Sequence, residues 1–241
     1  MKYIFVNFSE NNQHGCDLKC SFCEWSRLNY GVYYSPSNSD LQMLHDVFPN
    51  DKFWQISGGG DPLYHYEKNR SELKRIIDFA HSRGHRIELL TKKLDVALKY
   101  FDELNDLVDS WYFSVNETPS PMFLEFSKKV QGNVRVNLVL NHTSYEKLSI
   151  KKIKEIVDAY SPYVKRINLR ENYLHPFLEN NRYYDTEQQK RNKELIESLS
   201  PKVRFLSHLK LWILFNGSII DNDYVNKYYL GFDYLDSGRV A

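Results

Sequence analysis

Short apolar runs alternate along the chain with segments whose apolar residues have helical spacing. The runs lie at about residues 3–8, 53–57, 85–91, 110–115, 133–140 and 164–169. Between them, sets such as Leu73, Ile76, Ile77 and Ala80 predict amphipathic helices, and Gly84 is placed to end that one. Strand–helix alternation with short connections predicts an α/β fold of six units, with parallel strands and right-handed crossovers.

The pattern changes after residue 170. Residues 171–184 are polar and aromatic, and residues 186–199 have the pattern of a charged surface helix. Asn216-Gly217 is a strong signal for a two-residue hairpin turn. We therefore predict a core at 1–183 and an extension at 184–241, in which a helix and a β-hairpin cover the open edge of the sheet.

Composition excludes few functions. The 241 residues are 42% hydrophobic, which is enough for a full core, and the net charge of +1 does not indicate a nucleic-acid partner. No apolar run approaches the ~20 residues of a membrane span. Because no secretion signal is visible and the cysteines are clustered, we expect a reducing, cytoplasmic setting without membrane contact.

The most informative feature is the set of cysteines. Cys16, Cys20 and Cys23 are the only three in the chain, in a Cys-x3-Cys-x2-Cys segment. An odd number of cysteines in one short segment does not suit a disulfide framework. Three thiolates could bind a four-iron cluster and leave one iron open. A zinc site with His14 or His65 as the fourth ligand is the alternative, although zinc spacings of the Cys-x2-Cys type normally come in pairs.

A second motif follows the apolar run at 53–57. Gly58, Gly59 and Gly60 precede Asp61 and Pro62. Glycines allow the backbone to approach a ligand closely, because no Cβ stands in the way. A simple tight turn is the alternative interpretation.

Together the two motifs resemble the signature of the radical S-adenosylmethionine (SAM) superfamily, over roughly residues 1–170. The resemblance implies an open (β/α)6 partial TIM barrel, with a [4Fe-4S] cluster on the three cysteines and SAM as cofactors. Gly58–Asp61 would hold the methionine part of SAM, and Phe22 would adjoin the adenine. Asp61 stands where glutamate is more usual, which matters little if the contact is mainly through the backbone.

The activity implied by this resemblance is reductive cleavage of SAM to a 5′-deoxyadenosyl radical, which abstracts hydrogen from a substrate. A low-potential reductant such as flavodoxin or ferredoxin would be a partner. Polar residues in or at the ends of later strands are further candidates for contacts with SAM or substrate: Ser114, Asn116, Asn137 and Arg170. Lys92, His142 and His175 are weaker candidates of the same kind.

The substrate stays open, as a small metabolite, a nucleotide or a peptide. Compact relatives include glycyl-radical-enzyme activases and 7-carboxy-7-deazaguanine synthases, but only 15 residues precede Cys16, few for the second group. No cysteine is left for the auxiliary clusters of peptide-modifying maturases. Two non-catalytic alternatives are an electron-transfer protein, which would ordinarily use four cysteines, and a zinc-stabilised binding protein.

Overall fold

The computed structural model describes the following residues: 3–6, 18, 36–47, 49–50, 53–56, 61–115, 117–131, 133–140, 150–171, 203–206, 212–213, 219–220 and 230–233. The strands, numbered along the chain, are β1 (Tyr3–Val6), β2 (Phe53–Ile56), β3 (Arg86–Thr91), β4 (Ser110–Val115), β5 (Val134–Leu140), β6 (Arg166–Glu171), β7 (Val203–Leu206), β8 (Trp212–Ile213), β9 (Ile219–Ile220) and β10 (Leu230–Asp233). The described helices are α1 (Asn38–Val47), α2 (Tyr66–Ser82), α3 (Leu94–Lys99), α4 (Phe101–Asn105), α5 (Pro121–Lys129) and α6 (Ile150–Tyr160).

The chain forms two compact units. The first contains residues 1–19, 25–111 and 208–241, and the second contains residues 20–24 and 112–207. Strand β4 begins in the first unit and continues from Tyr112 in the second. Each unit has its own set of paired strands and packed helices.

In the first unit, β1 is parallel to β2 and β2 is parallel to β3. On its other side β1 pairs with β10, which runs antiparallel to it. A separate antiparallel pair joins β8 to β9, with Trp212 opposite Ile220. The predicted turn at Asn216-Gly217 lies outside the described residues, so the hairpin stays a prediction.

Helix α2 shows how the sequence pattern produces the first unit's core. Leu73, Ile76, Ile77 and Ala80 are all buried, as their spacing predicts. The helix ends before Gly84, whose φ of +78° is the left-handed conformation that glycine adopts without strain. The prediction for this helix end is confirmed.

Trp54 of β2 shows which side of the sheet α2 covers. The indole is fully buried and stacks on Phe79 of α2, with ring centroids 6.2 Å apart. It also stacks on His85, at 4.6 Å. Because side chains alternate along a strand, those of Phe53 and Gln55 lie on the opposite face of the sheet from Trp54.

In the second unit, β5 is parallel to β6 and β6 is parallel to β7. Helix α5 begins at Pro121, where the Ser120 hydroxyl accepts a hydrogen bond from Phe123 N at 3.2 Å and caps the helix. The unit's aromatic core includes Phe123 of α5, whose ring meets that of Tyr160 in α6 edge-on at 5.0 Å.

The α/β class with parallel strands and intervening helices is confirmed. The count of six strand–helix units and the division at residue 183 stay predictions. The structure adds two pairings that the sequence pattern did not indicate, β7 beside β6 and β10 beside β1. None of the described helices is both long and apolar enough to cross a membrane.

Candidate functional site

Both predicted motifs fall largely in parts of the chain that the structure does not describe. The candidate residues outside the described ranges are Cys16, Cys20, Phe22, Cys23, Gly58, Gly59, Gly60, Asn116, His142 and His175. Asp61, Lys92, Ser114, Asn137 and Arg170 are described, and Arg170 lies in β6. Within the described ranges, no three His, Cys, Asp or Glu side chains are grouped so that they could hold a metal.

The Asp61 side chain links the segment after β2 to the end of β3 through hydrogen bonds. Its Oδ1 accepts hydrogen bonds from Thr91 Oγ1 at 2.6 Å and from Leu63 N at 3.0 Å. Its Oδ2 accepts one from Lys92 N at 2.6 Å. Since the residues just before Asp61 are Gly58–Gly60, this carboxylate anchors the chain where the glycine motif ends.

The surroundings of Asp61 favour a structural role for its carboxylate. Burial raises the pKa of this carboxyl group, and the three hydrogen bonds oppose that rise. Both oxygens are engaged by donors of the first unit itself.

A buried carboxylate that sequence reasoning missed lies in the middle of β3. Glu88 is 1% exposed and is the Cα partner of Gln55 in β2. Gln55 Nε2 donates to Glu88 Oε2 at 3.1 Å, and Ser110 Oγ donates to Glu88 Oε1 at 3.3 Å. The missed signal was available, because a Gln and a Glu within buried apolar runs are unusual for parallel strands.

The second unit has a comparable polar group. Asn137 of β5 is the Cα partner of Asn168 of β6, and both are buried. Asn168 Nδ2 donates to Tyr112 Oη at 2.6 Å. Ser114, a predicted site residue, is two residues beyond Tyr112 and so lies on the same face of β4. Asn137 was a candidate from the sequence, whereas Asn168 and Tyr112 were missed.

Lys92 and His65 are two further candidates that lie in the first unit. The backbone N–H of Lys92 is held by Asp61, so the residue helps to anchor the strand end. The His65 ring meets the Tyr64 ring edge-on at 4.5 Å, directly before helix α2. His14, the other zinc-ligand candidate, lies outside the described residues.

Two solved structures share the fold over most of the chain. Native anSMEcpe with bound AdoMet (SAM) and the Kp18Cys peptide has a TM-score of 0.57 and 14% identity, over 97% of this chain and 78% of its own. Spore photoproduct lyase complexed with dinucleoside spore photoproduct has a TM-score of 0.53 and 15% identity, over 83% and 81%. For a mutant of the lyase the TM-score is 0.46, and this chain spans 64% of its length.

Both of these proteins are radical SAM enzymes. At such low identity the likeness establishes the fold, and the predicted resemblance is confirmed at that level. No protein-family profile matches the chain, and no curated protein matches it either.

Proposed function

We propose that the chain is a radical SAM enzyme in which Cys16, Cys20 and Cys23 bind three irons of a [4Fe-4S] cluster. The observation that carries the proposal is the three-cysteine motif in a chain that shares its fold with a structure that holds SAM. The donor set fits, because three thiolates within eight residues leave a fourth iron for SAM. The three cysteines would hold the cluster, and together with SAM it would supply reductive cleavage of the C–S bond of SAM, with the electron coming from an external reductant.

Residues of this chain would bind and orient SAM. The backbone of Gly58–Gly60 is the proposed contact for its methionine part, and the bonds of Asp61 to Thr91 and Lys92 hold the end of that segment in place. Phe22 is proposed to adjoin the adenine. The further contacts proposed are Ser114, Asn116, Asn137 and Arg170.

The proposal includes a low-potential reductant, such as flavodoxin or ferredoxin, and a cytoplasmic location. The two fold neighbours are bound to a peptide and to a dinucleoside, so the shared fold does not select one substrate class. An activase of a glycyl radical enzyme and a 7-carboxy-7-deazaguanine synthase-like enzyme are the specific alternatives within the superfamily.

The test is anaerobic reconstitution of the full chain with iron and sulfide, followed by dithionite and SAM. We expect a brown protein with about four irons per chain that produces 5′-deoxyadenosine. Cys20→Ala should abolish 5′-deoxyadenosine formation, because one of the three thiolates is lost. Ser21→Ala is the matched control, since it changes the neighbouring residue and keeps every thiolate.

A colourless protein with one zinc per chain would contradict the proposal and favour the zinc-stabilised binding protein. Full SAM cleavage by Cys20→Ala would contradict it as well.

A further inference from the structure

The second unit contains two buried amide oxygens at paired positions. Asn137 and Asn168 leave the same face of the sheet, because they are Cα partners in the parallel pairing of β5 with β6. They are 2% and 7% exposed. Within the described part of the chain, neither Oδ1 has a hydrogen-bond partner. Native proteins keep few such atoms, so each one calls for an explanation.

Tyr112 bonds one end of the Asn168 amide in the structure. The amide nitrogen donates to the tyrosine hydroxyl at 2.6 Å, so it is already engaged. The amide oxygen of Asn168 is therefore left as an acceptor beside that of Asn137. Two acceptors at one place are both satisfied by a single group with two donor hydrogens, such as an amino group or a water molecule.

The spacing of the two strands suits a single nitrogen. Neighbouring strands lie about 4.8 Å apart, and an N–H···O bond is about 2.9 Å long. If the two oxygens are separated by the strand spacing and a nitrogen bonds both, the O···N···O angle at the nitrogen is about 110°. This is close to the angle between the two N–H bonds of an amino group. A hydroxyl has one hydrogen and would satisfy only one of the oxygens.

The charge nearby disfavours an ammonium group. Arg135 is buried and lies two residues before Asn137 in β5, so it leaves the same face of the strand. Its guanidinium remains positive at any physiological pH. A neutral amino group adds no further positive charge on the face where the register already pairs Arg135 with Arg166.

We infer that Asn137 and Asn168 bind a neutral primary amino group, carried by a carboxamide or by a nucleobase. The inference rests on the proposed function only in naming the two possible sources of that group, which are the substrate and the adenine of SAM. It assigns Asn168 and Tyr112 to a binding site, Tyr112 as a positioning residue.

The experiment measures binding to the reconstituted full chain by titration calorimetry, with probes that differ in the amino group. The pairs are adenosine against purine riboside and benzamide against methyl benzoate, with SAM measured separately. We expect at least one amino-bearing probe to bind about tenfold or more tightly than its counterpart, because that counterpart leaves the buried oxygens without a donor. No preference in either pair would overturn the inference.

Asn137→Leu and Asn168→Leu should each abolish this preference. Asn137→Leu should unfold at an unchanged or higher temperature, because leucine replaces an oxygen without a partner by apolar atoms of similar size. Asn168→Leu also loses the bond to Tyr112, so it should unfold at a lower temperature. Asn133→Leu, the same change at an exposed turn of the second unit, is the control and should retain the preference. A preference that survives both buried substitutions would overturn the inference.

Two further outcomes separate the sources of the amino group. Weaker SAM binding together with a lost preference for adenosine in both variants identifies the adenine, and unchanged SAM binding with a lost probe preference identifies the substrate. If the leucine variants do not fold, Tyr112→Phe tests the same site, since it frees the Asn168 amide to turn. An unchanged preference in that variant would then count against the inference.

The inference and the proposed function can fail separately. Discrimination between the probes does not require SAM cleavage. An inactive protein that still prefers the amino-bearing probe contradicts the proposed function alone. An active enzyme without any preference contradicts the inference alone.

Discussion

Replacing Asp61 tests whether its carboxylate anchors the segment that follows β2. Asp61→Ala removes the acceptor of three hydrogen bonds, two from backbone N–H groups and one from Thr91. Asp61→Asn is the finer change. Its oxygen can still accept from Thr91 and Leu63, but its NH₂ group then faces the N–H of Lys92, and two donors cannot bond each other.

The expected magnitudes follow from these contacts. A hydrogen bond to a charged group contributes about 1.5–3 kcal/mol, and bonds that share one acceptor are not additive. We expect Asp61→Ala to lower the free energy of unfolding by about 3–5 kcal/mol. Asp61→Asn, which loses one bond, should lower it by about 1.5–3 kcal/mol.

The assay is urea unfolding of the apoprotein, followed by far-UV circular dichroism. Asp78→Asn is the control, because Asp78 is about half exposed and bonds Lys74 within one helix. Such a surface pair contributes about 0.3–0.5 kcal/mol. If Asp61→Ala stays within about 0.5 kcal/mol of the wild type, a change typical of ordinary surface sites, the anchoring role is wrong.

Three further substitutions test the packing around the site in the same unfolding assay. Glu88→Ala should lower the free energy of unfolding by about 2–4 kcal/mol, because it leaves a cavity and two buried donors without an acceptor. A loss under about 1 kcal/mol would contradict its buried role. Trp54→Ala should lower the free energy of unfolding by about 3–5 kcal/mol. Met122→Ala is the control and should lower it by under about 1 kcal/mol, because Met122 is exposed. Equal losses would contradict the stacking described for Trp54. Ser120→Ala should cost about 1 kcal/mol through the lost helix cap, whereas Thr118→Ala, exposed and outside the helix, should cost less.

The fold class was predictable because burial imposes periodicity on the sequence. Helix α2 shows its apolar face at the predicted spacing, and Gly84 ends it as predicted. Strand partners at the edges were harder to predict, because pairing depends on which distant segments meet. The four residues of β10 carry no mark of their antiparallel pairing with β1.

The candidate site was predictable from the sequence to a different degree at each position. The cysteines and glycines stand out by residue type and spacing, and their role stays a prediction because they lie outside the described residues. Asn137 was a candidate by its place in a strand. Asn168 was missed because a single asparagine in a strand says nothing about its neighbour. Only the register of β5 with β6 brings the two together.

Each unit contains a pair of buried polar side chains at partnered positions of adjacent parallel strands, where apolar residues are the rule: Gln55 with Glu88, and Asn137 with Asn168. Gln55 and Glu88 bond each other, so the first pair is satisfied by the protein itself. Asn137 and Asn168 each keep an oxygen without a partner in the described residues, although desolvation makes that costly. A pair that satisfies itself is explained by the stability of the fold. A pair that does not is explained by a ligand that supplies the missing donors, and for that reason we place ligand recognition on the asparagines and structural support on Glu88.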